Sequence, residues 1–97
     1  MNQILATFVI SEDVERPKTA GVCNGYAPHH KFVAVDYLAS GIHSYEDSNF
    51  HFPGEKLKAK ISFASWQFFS DKIKVGDEFE VRENARLIGH GRVDEIL

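Results

Sequence analysis

The chain holds a single cysteine, Cys23, so no internal disulfide can form and the composition fits a reducing compartment. No apolar run approaches the roughly 20 residues that a membrane-crossing helix needs. The opening Met-Asn-Gln carries no basic residue ahead of an apolar stretch, unlike a secretory signal, so a cytoplasmic location is expected. A basic excess is also missing, with 11 Lys+Arg against 14 Asp+Glu and a formal charge of -3. Dedicated nucleic-acid binders draw much of their affinity from neutralising phosphates, so only a local basic face could serve here. No Gly-x-x-x-x-Gly-Lys-Ser/Thr motif occurs, which excludes a P-loop and the nucleotide it would hold. What is present is ordinary: 97 residues, 43% hydrophobic and 26% charged, as expected for one globular domain spanning residues 1–97.

Apolar residues recur with a period of two and never with a sustained helical period. Residues 2–10 place Ile4, Ala6, Phe8 and Ile10 on one side and Leu5, Thr7 and Val9 on the other. Both sides are largely apolar, which predicts a strand covered on both faces. Residues 11–24 are polar and read as a long loop. Residues 31–37 are β-branched and aromatic, predicting a second strand, and a short one is expected near 41–45. The clearest strand is 56–63, where Leu57, Ala59, Ile61 and Phe63 alternate with Lys56, Lys58, Lys60 and Ser62. Residues 78–82 and 86–97 form the last pair across a short turn, with Asn84 suited to a left-handed backbone. The two glycines of Gly89-His90-Gly91 predict a bulge or a close backbone approach. About six strands and no convincing helix indicate an all-β fold, either a closed antiparallel barrel or a small sandwich.

The segment from Phe79 to Val93, with Arg82-Glu83, a two-residue turn, Arg86 and Gly89-His90-Gly91, resembles the closing hairpin of the third, C-terminal domain of translation elongation factor Tu. Upstream, Gly25-Tyr26-Ala27-Pro28 is similar to that family's Gly-Tyr-Arg-Pro, and Pro53-Gly54 sits where the family turns before its long central strand. The blocks occur in the right order and cover nearly the whole chain. The resemblance implies a six-stranded antiparallel closed β-barrel, here free of the GTPase domain. It also implies contacts with aminoacyl-tRNA and with the nucleotide-exchange factor. On this chain the matching RNA-contact positions are His29, Arg82, Glu83 and Arg86. Ala27 replaces an arginine, Asn24 a lysine and Asn84-Ala85 a Gly-Gly turn, and each loss weakens a grip on phosphate.

Other candidate sites come from the residues themselves. Lys56, Lys58 and Lys60 share one strand face; they are either an electrostatic track for RNA or an acidic partner, or the solvated outside of a barrel. The five histidines His29, His30, His43, His51 and His90 show no metal-ligand spacing and are expected to be hydrogen-bonded bystanders on β surfaces, with no metal. Cys23 lacks a nameable oxyanion partner, and no catalytic constellation is recognisable, so neither enzymatic activity nor a cofactor is expected. Trp66, Phe68 and Phe69 follow a complete strand and serve either to cap the core or to anchor a partner.

The expected function is therefore a non-catalytic binding module. It would meet a protein of the translation apparatus, or act as a decoy or immunity-like protein for one of the factor's usual partners. Trp66, Phe68 and Phe69 would be the anchors, with Arg82, Glu83 and Arg86 at a polar rim. The alternative is an RNA-binding module gripping tRNA through His29, Arg82, Glu83, Arg86 and the lysine face. A small enzyme or ligand-binding barrel is a third reading.

Overall fold

A computed structural model describes residues 3–97. Six strands, β1 (Gln3–Ile10), β2 (His29–Phe32), β3 (Ala39–Ser44), β4 (Lys56–Phe63), β5 (Glu78–Glu83) and β6 (Arg86–Ile96), close into a barrel in the order β1-β4-β3-β2-β5-β6. Every neighbouring pair is antiparallel. Two single 3-10 turns, Trp66–Phe68 and Ser70–Lys72, lie between β4 and β5. Among the described residues no helix is long and apolar enough to cross a membrane. Asn2 of the expected first strand lies outside the described residues.

Period-two alternation fills the interior. Ile4, Ala6, Phe8 and Ile10 of β1 meet Leu57, Ala59, Ile61 and Phe63 of β4 in the core. The outward side of β1 is half-buried rather than covered by a second layer. Leu5 is flanked in register by Lys60 and Glu95, Thr7 by Lys58 and Arg92, and Val9 by Lys56 and His90. Long polar side chains with apolar stems suit such positions.

Two expectations need correction, and a third is decided between its alternatives. The second strand starts at His29 and ends at Phe32 instead of running over 31–37. The backbone turns there, with Val35 N–H donating to the Phe32 carbonyl at 3.2 Å, and Lys31 Nζ bonds the carbonyls of Phe32 and Val35. Burial of Val35 beneath this turn prevails over the strand preference of the sequence. The bulges also fall beside the glycine pair and not on it. Register shifts leave Ile88 as the extra residue opposite β5 and Asp94 as the extra residue opposite β1. The glycines mark close approach: a Cβ on Gly89 would lie 2.2 Å from the Val9 carbonyl oxygen. Lastly, His30 and His43 are fully buried among the core aromatics and are no surface bystanders.

Candidate partner-binding surface

The antiparallel order brings residues 33–38, residues 64–77 and the outer ends of β1 and β6 to one end of the barrel. Several apolar residues face solvent at this end, among exposed Asp36, Gln67, Asp71, Lys72 and Lys74. Val33 is 92% exposed, Phe68 70% and Val75 63%, with Tyr37, Leu38 and Ile96 partly exposed around them. The local reason lies in the 3-10 turns. Phe68 N–H donates to the Ser65 carbonyl at 3.0 Å and Phe69 N–H to the Trp66 carbonyl at 3.1 Å. Three residues per turn place Trp66 and Phe69 on the same side and Phe68 on another.

That geometry separates the three aromatics that the sequence grouped together. Phe69 is 0% exposed and Trp66 9%. Trp66 stacks on Phe63 with ring centroids 6.0 Å apart, and Phe69 meets Trp66 and Phe63 edge-on at 5.4 Å. Both close the core, so neither can anchor a partner without unpacking the barrel; only Phe68 can. Val33 and Val75 were missed. The signal available was an apolar Phe32-Val33-Ala34-Val35 run longer than the strand could bury.

The opposite end is joined to itself by polar contacts, and it too exposes aromatics, Phe50 at 63% and Phe52 at 53%. Asn84 takes a left-handed conformation with φ 57° and completes the two-residue turn between β5 and β6. Glu83 accepts from the Tyr26 hydroxyl at 2.7 Å and pairs with Lys18 at 2.9 Å. Burial works to raise the Glu83 carboxyl, but the bonds from Lys18 and Tyr26 outweigh it and hold the group below its ordinary range. Burial, reinforced by Glu83, raises the Tyr26 phenol. Arg86 donates to the carbonyls of Arg16 at 2.9 Å and Pro17 at 2.8 Å, pinning the long loop against the hairpin. Arg82 bonds Glu80 and the Ala85 carbonyl, and His29 Nδ1 accepts from the Asn84 N–H at 3.2 Å. His51 closes the same end: its backbone pairs with Val22, and its ring nitrogens face Asp47 at 2.9 Å and Glu55 at 3.1 Å. Hydrogen bonding to Glu55 and Asp47 raises this imidazole above its ordinary value.

His29, Arg82, Glu83 and Arg86 are thus brought together, each with at least one polar atom bonded inside the chain. A groove between the long loop and the hairpin is lined by Asp13, Glu15 and Arg16 of the loop and by Arg82, Arg86 and His90 of the hairpin strands. The aromatic and hairpin candidates do not share one surface. β5 runs from the apolar end to the hairpin, and its five residue steps span about 17 Å. Lys56, Lys58 and Lys60 point outward on β4, where Lys58 pairs with Asp94 at 2.9 Å. Asp94, the bulged residue, also accepts from Thr7 at 2.6 Å. Among the described residues no three His, Cys, Asp or Glu side chains are grouped to hold a metal ion. Compared with known proteins, the sequence matches no family model and no curated relative.

Proposed function

We propose that this chain is a non-catalytic binding barrel, related to the third domain of elongation factor Tu, that docks a protein of the translation apparatus on its apolar end. One form of this role is a decoy that occupies a protein which otherwise binds the factor. The observation that carries the reading is that Val33, Phe68 and Val75 are each exposed at the same end of the barrel, Phe68 on the turn that buries Trp66. Exposed apolar side chains of this kind are what protein interfaces use as anchors. The six-stranded closure and the two-residue hairpin turn support the relationship to the factor.

The test is capture from host lysate, with and without RNase, by the wild-type chain and by a Val33→Asp, Phe68→Asp variant. An RNase-resistant partner that the variant loses supports the reading. Equal capture by a folded variant overturns it. A second reading, RNA gripping, draws on the groove that carries Arg16, Arg82 and Arg86. It requires an RNA affinity that falls steeply with salt. The bonds that Arg82 and Arg86 already make within the chain weigh against it.

A further inference from the structure

The barrel interior contains a directed chain of polar groups that no partner contact uses. His30 Nε2 lies 2.8 Å from His43 Nε2. His30 Nδ1 is 3.0 Å from the Ala39 carbonyl oxygen, and His43 Nδ1 is 2.9 Å from the Tyr45 hydroxyl. A carbonyl can only accept, so neutral His30 carries its proton on Nδ1 and its Nε2 is an acceptor. His43 therefore carries its proton on Nε2 and donates to His30, while its Nδ1 accepts from Tyr45. One backbone carbonyl fixes every proton in the chain.

This pair spans the shortest seam of the barrel. β2 and β3 share only the register pairs His29↔Ser40 and His30↔Ala39. The rest of the seam is closed by loop bonds, from Gly25 N–H to the His43 carbonyl at 2.9 Å, His43 N–H to the Tyr26 carbonyl at 2.8 Å, and Gly41 N–H to the Pro28 carbonyl at 3.2 Å. His30 stands on one side of the seam and His43 on the other.

The site cannot easily take up protons. A first added proton obliges His43 Nδ1 to donate, so the Tyr45 hydroxyl loses its acceptor. A second sets N–H against N–H across 2.8 Å, with two like charges side by side. Among the described residues no carboxylate is bonded to either ring. Phe8 of β1, Phe63 of β4 and Phe79 of β5 form the walls. The titratable neighbours are Tyr26 and Tyr45 on the rings, His29 beside His30, Cys23 and His51 near Tyr45, and Glu83 beyond Tyr26. Burial lowers His30 to about 4, and burial, followed by the proximity of His30, holds His43 well below its ordinary value.

We infer that the His30–His43 pair is a proton-operated latch, and that acidification opens the seam between β2 and β3 while the β1–β4 side of the barrel stays closed. Opening frees residues 22–28, which complete that seam, and loosens the polar end they help to form.

Amide hydrogen exchange at pH 7.5 and pH 5.0, each corrected for its intrinsic rate, tests this directly. Protection at Gly25, Gly41 and His43 should fall at least tenfold at the lower pH, and on the order of several hundredfold if opening releases both rings to titrate normally. Amides between β1 and β4, which exchange only when the whole barrel unfolds, should remain better protected than the seam amides at both pH values. Seam amides as well protected as those between β1 and β4, or no fall at the three seam amides, overturns the latch. His43→Gln should reduce the response to that of the single remaining ring if it folds, and a full wild-type response in that variant also overturns it. Should the variant not fold, the imidazole nitrogen shifts of the wild-type chain decide. Nδ1–H on His30 and Nε2–H on His43 at pH 7.5 are expected, and the reverse tautomers count against the latch.

Discussion

The Phe79 ring lies over Gly91 on the neighbouring strand, so close that a Cβ on Gly91 would stand 2.3 Å from Phe79 Cζ. The missing side chain on one strand is filled by the ring from the next. Gly91→Val should therefore cost roughly 1–3 kcal/mol through overpacking. Combining it with Phe79→Leu should recover part of the loss, because the two positions share one volume. Denaturant titration of the two single variants and the double variant measures the coupling.

Trp66→Ala and Phe69→Ala should each destabilise the barrel by about 3–5 kcal/mol, as large-to-small changes in a packed core do. Phe68→Ala, at an exposed position on the same turn, should stay within about 0.5 kcal/mol. Urea midpoints separate the two outcomes. A Phe68→Ala variant as unstable as Trp66→Ala would place all three rings in the core.

Arg86→Ala should release the long loop, because its guanidinium holds two successive carbonyls at Arg16 and Pro17. Limited proteolysis within residues 11–21 should accelerate severalfold while the strands resist cleavage. Arg86→Lys should rescue only part of the protection, since a single ammonium lacks the fork geometry.

Acid should destabilise the protein well before carboxylates titrate. The folded values of His30 and His43 are lowered, so the unfolded chain binds more protons than the native one below its ordinary histidine pKa. The contribution is complete above about pH 6.5 and fades as the pH falls toward 4, by up to about 2–3 kcal/mol per pH unit when both rings take part. His51 acts with the opposite sign. Its raised value makes its contribution complete below about pH 6.5 and lost as the pH rises through the folded value. Unfolding titrations between pH 5 and 8 should show the steep acid limb in the wild-type chain. The alkaline change should vanish in His51→Gln.

Much of the fold could be read from the chain because one-layer barrels impose a strict alternation. β4 matches its sequence pattern from Lys56 to Phe63, and the last hairpin turns at Asn84-Ala85 as its residues suggest. The end of β2 could not be read, since Phe32 and Val35 are alike in strand preference and differ only in the turn that buries Val35. The separation of Trp66 and Phe69 from Phe68 depended on a period of three hidden in four residues. The distance between the aromatic and arginine candidates depended on strand direction, which no local pattern carries. His30 and His43 were hardest, because a buried polar residue is recognisable only once its partner across the sheet is known.

Closure of the barrel gives every strand two hydrogen-bonded neighbours. Among the described strands, the end that exposes Val33, Phe68 and Val75 therefore has no free edge beside it on which another chain could extend the sheet. A partner docking there would be limited to side-chain contact, with no template for fibril growth.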